Sequence, residues 1–174
     1  ICEGLVGSEM CIRDRCTDSE YGPMPDWDVS QVTNMVSWGK GFNGQSLFNA
    51  DISKWDVSSV TNMAGLFGSA AAFNANISGW DTSSVVKFAC TFAGACAFDQ
   101  DLSTWDTSSA NGMQGMFQNC QTGTFNSDIS NWNTAAVKNM KWMFNKNTIF
   151  DQDVSGWTGS VSYTHLTLPT SYAV

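Results

Sequence analysis

Phe48-Asn49-Ala50-Asp51-Ile52-Ser53-Lys54-Trp55-Asp56-Val57-Ser58-Ser59-Val60-Thr61-Asn62-Met63-Ala64-Gly65-Leu66-Phe67 is the stretch on which the fold turns. Its apolar period changes part-way. Ile52, Trp55 and Val57 fit a short extended segment facing inward, whereas Val60, Met63 and Phe67 stand at i, i+3 and i+7, one face of a helix. Ser58 or Ser59 stands at the junction, where a hydroxyl can cap a helix beginning near Val60. The equivalent apolar sets further on are Val85, Phe88 and Phe92, then Met113 and Phe117, then Val137, Met140 and Phe144.

The same unit recurs along the chain. Trp27, Trp55, Trp80, Trp105, Trp132 and Trp157 fall at spacings of 28, 25, 25, 27 and 25, and the last five are each preceded by seven positions by a Phe. A two-turn helix is marginal alone in water, so each unit needs its neighbours to cover its apolar face. The expectation is an α/β solenoid of leucine-rich-repeat type, about five coils of ~25 residues, each a short strand plus a short helix or turn. The spacing Ile52-x-x-Trp55-x-Val57 matches the L-x-x-L-x-L strand of such repeats. A propeller is excluded, because its blades need ~40 to 45 residues for four strands. The short Gly- and Asp-rich nonapeptide pattern of calcium-binding β-helices does not occur.

Both ends read differently. Met10-Cys11-Ile12-Arg13-Asp14 can be encoded by ATG TGT ATA AGA GAC AG, and the reverse complement of that string encodes Val161-Ser162-Tyr163-Thr164-His165. Two strands of one DNA sequence at opposite ends of a chain resemble translated sequencing-library adapters. Residues 1–15 and 161–174 are therefore set aside, and 16–160 is read as a fragment of the repeat array. The only His, His165, and both Arg residues, Arg13 and Arg15, leave with the ends. Six Lys then face twelve Asp and Glu20, a net charge of −7 against −8 for the whole chain of 174 residues.

That balance disfavours nucleic acid and electrostatic docking on anionic lipid, both of which need clustered cations. Without His or Arg there is no catalytic triad, no His metal site and no Arg phosphate clamp. The most apolar stretch, Val85 to Phe98, carries Lys87 and is too short to span a bilayer.

The repeat resembles that of BspA-like leucine-rich-repeat surface proteins, whose unit reads Phe-Asn-x-Asp-Ile-Ser-x-Trp-Asp-Val-Ser-x-Val-Thr-Asn-Met-x-x-Met-Phe. The match runs from about Tyr21 to Trp157 and is fullest in the second unit. It departs at Val86-Lys87-Phe88, at Asn111-Gly112-Met113 and at Trp38-Gly39 in the first unit, and Val60 stands where leucine-rich repeats carry a ladder Asn. The resemblance implies a secreted or cell-surface protein with adhesion or ligand binding as its role.

Candidate residues form columns. The Trp set (Trp27, Trp55, Trp80, Trp105, Trp132, Trp157) is read as core, since it shares the inward phase of Ile52 and Val57; an exposed sugar-stacking ladder is the alternative. Met35, Met63, Met113 and Met140 are core as well. One acidic column follows Trp: Asp28, Asp56, Asp81, Asp106 and then Asn133, the ligand-facing candidates. The other lies four residues before it: Asp51, Asn76, Asp101, Asp128 and Asp153. Equal charges ~4.8 Å apart repel by roughly 0.9 kcal/mol even at water's dielectric, so something must offset them. Three answers stand open: each Asp accepts amides within its own turn, calcium bridges the coils, or the post-Trp column forms a ligand surface flanked by Ser53, Ser78, Ser103, Ser130 and Ser155.

Cys96 and Cys120, 24 apart, are nearly one coil from each other and within disulfide reach on neighbouring turns; buried free thiols are the alternative. Asn76-Ile77-Ser78 is a lone glycosylation sequon. A periodic ladder gives its carboxylates identical surroundings, whereas acid–base catalysis needs them unlike, so no enzyme and no cofactor is expected beyond that calcium. The expected role is recognition of a protein or glycan outside the cell through the strand face, with a structural spacer as the rival.

Overall fold

The computed structural model describes residues 24–36 and 42–158. The adapter-like ends, with Cys2, Cys11, Cys16 and His165, and the Trp38-Gly39 departure lie outside the described residues.

The expected strand-plus-helix solenoid of leucine-rich-repeat type is not what forms. Among the described residues, regular structure amounts to one turn of 3-10 helix, Met24–Asp26, and isolated parallel bridges linking Asn34, Asn62, Lys87, Gly112 and Asn139 in succession. The repeat units lie against one another, but each is built from turns.

The reason lies in where the amides go. In the stretch read as a helix, the N–H groups of Met63, Gly65, Phe67 and Ser69 donate to the carbonyls of Lys87, Ala89, Thr91 and Ala93 in the next unit, at 2.9, 2.8, 2.9 and 2.6 Å. The intervening amides of Leu66, Gly68 and Ala70 close three-residue turns onto Met63, Gly65 and Phe67. No amide is left for the i→i−4 bond of an α-helix. The chain resets its direction at left-handed residues, Gly65 (φ 69°) and Ser69 (φ 58°), as a type II turn requires at its third position. The pattern repeats at Cys90 and Gly94, at Gly115 and Asn119, and at Trp142 and Lys146.

The extended segment fails for a related reason. Within Asp51–Ser58, the amides of Ser53 and Ser58 bond the carboxylates two residues earlier, and the amide of Trp55 returns to the Ile52 carbonyl. Local side-chain bonding thus outcompetes a ladder. Ser58 serves the Asp56 turn, with no helix to cap.

What the units share is an aromatic interior. Ile52, Trp55, Val57, Val60, Met63 and Phe67 are all buried, as are their counterparts in the later units. Trp27 is partly buried, and the other five repeat indoles are buried. Each of these five donates its Nε1–H to a carbonyl of the preceding unit: Trp55 to Met24, Trp80 to Ile52, Trp105 to Ile77, Trp132 to Leu102 and Trp157 to Ile129, at 2.9–3.2 Å. Two Phe columns run beside them. Phe42, Phe67, Phe92, Phe117 and Phe144 stack with centroids 5.5–5.9 Å apart, and Phe48, Phe73, Phe98, Phe125 and Phe150 at 5.7–6.1 Å. Within a unit the two rings meet at about 4 Å, as between Phe67 and Phe73 (3.8 Å). Parallel, offset rings at these distances suit the quadrupole.

Removing one indole tests this interior. Trp105→Ala is expected to cost about 3–5 kcal/mol through transfer and cavity effects. Trp105→Phe leaves the Ile77 carbonyl with the bond from the Trp80 amide and loses about 1 kcal/mol for the indole bond, besides some packing. Urea denaturation measures both; an alanine variant within 1 kcal/mol of the native chain would show that the column does not hold the units together.

Candidate functional site

The post-Trp column lies where the chain leaves the core. Asp28, Asp56, Asp81 and Asp106 are exposed, and so is Asn133. Each accepts, through Oδ1, the backbone amide two residues on: Ser30, Ser58, Ser83, Ser108 and Ala135, at 2.8–3.1 Å. The hydroxyls of Ser30 and Ser58 donate to the same oxygens at 2.7 and 2.6 Å. The column before Trp is built alike, with Asp51, Asn76, Asp101, Asp128 and Asp153 accepting the amides of Ser53, Ser78, Ser103, Ser130 and Ser155. Of the three ways to offset the repeated charge, the structure displays the bonded turn.

These bonds set the carboxylate acidity. The Ser58 hydroxyl and amide hold the Asp56 carboxyl below the ordinary Asp value of 3.8, against smaller opposing effects of lost water and of Asp28 and Asp81 nearby. Asp81 is lowered by Ser83 in the same way, with Asp106 opposing, and Asp106 by Ser108. In the other column the amide leads: Ser53, Ser103, Ser130 and Ser155 lower Asp51, Asp101, Asp128 and Asp153. The bonds therefore outweigh the mutual repulsion. Among the described residues, no group of three or more His, Cys, Asp or Glu is placed to hold a metal ion.

Directly after the post-Trp column, buried hydroxyls tie unit to unit. Thr82, Thr107 and Thr134 donate to the carbonyls of Asp106, Asn133 and Thr158 at 2.9–3.0 Å. Val57, at the same position one unit earlier, has no hydroxyl to give. A ladder that the sequence reading missed follows the Phe column: Asn49 accepts the amide of Asn74, Asn74 that of Asp99, Asp99 that of Asn126, and Asn126 that of Asp151. Its signal was present, since every unit carries Asn or Asp directly after that Phe.

Cys96 and Cys120 are joined as a disulfide, with Cα atoms 5.0 Å apart. The bond lies at a lengthened stretch: Phe117 to Phe125 takes eight residues where Phe92 to Phe98 takes six. Gly123 is buried against it; a Cβ there would stand 2.8 Å from that of Cys120. A void of about 10 Å³ beneath is at most one water in size. Cys90 stays a free thiol, pushed up in pKa by burial despite a bond from the Gln118 amide.

With this geometry in hand, the family described as "Mycoplasma protein of unknown function, DUF285" matches residues 11–124 and 120–165. The chain belongs to that family. No curated protein and no solved structure matches the chain. Among the described residues, no helix is long and apolar enough to cross a membrane.

Two measurements follow from the site. A lowered carboxyl gives stability that is present above the unfolded value and lost as pH falls through the folded one, so the chain loses stability on acidification below the ordinary 3.8. Replacing Asp56, Asp81 and Asp106 by Asn keeps the amide-accepting oxygen, as Asn76 and Asn133 do, and is expected to flatten melting temperature against pH as the pH falls from about 5 through 3.8 and below. An unchanged slope would place the acid sensitivity elsewhere. For the disulfide, a loop of 24 residues corresponds to about 3.5 kcal/mol of unfolded-state entropy. Dithiothreitol should lower the native melting temperature and leave Cys96→Ser/Cys120→Ser unmoved; an equal response in both would deny the bond a stabilising role.

Proposed function

We propose that this chain is a non-catalytic recognition module of an exterior surface, binding a protein or glycan through Asp28, Asp56, Asp81, Asp106 and Asn133. The observation that carries this reading is the row itself: five exposed side chains, one per unit, each tied to its own turn in the same way. Acceptors fixed beforehand lose little freedom when a ligand arrives. Likeness of surroundings along the row speaks for repeated contact with an extended ligand and against acid–base chemistry. The resemblance of the unit to BspA-like surface proteins supports an exterior location, and the Cys96–Cys120 bond suits an oxidising compartment. A negatively charged row makes nucleic acid an unsuitable partner.

A structural spacer is the second reading, favoured by the fact that each of these side chains already gives one oxygen to its own turn. Replacing Asp56, Asp81 and Asp106 by Asn separates the two, because the turns survive while the charge goes. On protein and glycan arrays, recognition through the row predicts a ligand whose affinity falls about tenfold or more in that variant, with both chains still fully folded at the temperature of the assay. Binding that ignores the substitution, or an array without a ligand, overturns the proposal in favour of the spacer.

A further inference from the structure

The run of turns that follows each post-Trp residue along the chain is plain in three successive units and decorated in the fourth. At the two positions after the buried Met or Phe stand Ala64 and Gly65, Ala89 and Cys90, Gln114 and Gly115, and then Lys141 and Trp142. Trp142 is 49% exposed in a molecule whose repeat indoles lie in the core. Its backbone is left-handed at φ 62°, a conformation that glycine adopts freely, and that Gly65 and Gly115 supply at the same position. For a bulky residue it is a true outlier, and such an outlier points toward a role outside folding.

The indole's surroundings give that role a chemistry. The Lys141 ammonium lies 4.2 Å from the Trp142 ring centroid. Asn139 holds the Lys141 amide at 3.0 Å, and the Gly115 amide bonds the Lys141 carbonyl, so the pair stands on a fixed backbone. Lys138 and Lys146, both exposed, belong to the same run. Thus three of the chain's six Lys fall within nine residues around one exposed aromatic ring, in a protein of net charge −8.

We propose that Trp142, with Lys138, Lys141 and Lys146, docks an acidic polysaccharide. A sugar ring stacks on the indole, and the flanking carboxylates or sulfates meet the ammonium groups. A narrow anionic chain fits better than an anionic membrane. Among the described residues Trp142 is the one exposed aromatic ring, an area that a single sugar ring covers and that gives a bilayer little to take up. The site is separate from the acidic row and stands or falls without it.

The test uses the full chain with heparin and polygalacturonate as probes, dextran as the neutral control, and phosphatidylcholine–phosphatidylglycerol vesicles as the membrane control, read by titration calorimetry. Binding to at least one acidic polysaccharide, weakened by added salt and absent for dextran, is expected. Trp142→Gly should lower that affinity about tenfold or more while its melting temperature holds or rises, since glycine relieves the left-handed backbone. Lys141→Ala/Lys146→Ala should do the same at unchanged melting temperature, and it carries the test should the glycine variant fold poorly. Failure to bind either acidic polysaccharide, equal binding of dextran, preference for the vesicles, or native affinity in the variants would each overturn the proposal.

Discussion

The bond from each indole Nε1–H to the carbonyl three residues before the preceding unit's Trp is the constraint on which the remainder depends. That carbonyl already accepts the amide of its own Trp, as Ile52 does for Trp55 before receiving Trp80. One buried oxygen therefore closes a turn within one unit and fixes the register of the next. A buried carbonyl has two lone pairs, and here both are used, so a slip in register would leave a polar group unpaired in an aromatic interior. The repeat length follows from this. A unit can lengthen, as between Phe117 and Phe125, but the acceptor stays three residues before the preceding unit's Trp.

Much of the interior was legible from the sequence, and the secondary structure was not. The period and the burial of the Trp and Met columns follow from residue type and spacing, whereas the bonding of Asp within its own turn was one of three answers that the sequence left open. The helix did not follow, because i, i+3, i+7 apolar spacing is satisfied equally by consecutive three-residue turns. Met63, Leu66 and Phe67 point inward in either arrangement. The discriminating signal was glycine: Gly65 and Gly115 sit at left-handed positions inside the stretches read as helical, and Gly94 just past one of them. It was blurred by Ser69, Cys90, Asn119, Trp142 and Lys146, which take the same conformation without announcing it.

Two kinds of polar residue result, although both are Asn or Asp. Asp56 and its column bond within their own unit, so they shape a turn and leave the neighbouring unit unaware of them. Asn74 and its column bond across units, accepting the amide of Asp99 while Asn74's own amide goes to Asn49. Spacing alone could not separate these, since both recur with the same period. The separation comes from sequence neighbourhood: a Ser two residues on favours the local turn, and the cross-unit ladder follows directly behind a buried ring.

Because register is held by indoles, hydroxyls and amides inside the stack, the outward side chains are released from structural duty to different degrees. An Asp in a bonded turn is constrained to be Asp or Asn, which explains why Asn76 and Asn133 stand in otherwise acidic columns without a change in geometry. A left-handed position is constrained toward glycine, and departures from it carry a conformational cost that nothing in the core repays. The two outward faces therefore carry information of opposite kinds. On the acidic face, uniformity is compatible with a purely structural cause. On the ribbon of turns, glycine gives way at Ser69, Cys90, Asn119, Trp142 and Lys146, and Trp142 is the informative one because it places a bulky, exposed ring there.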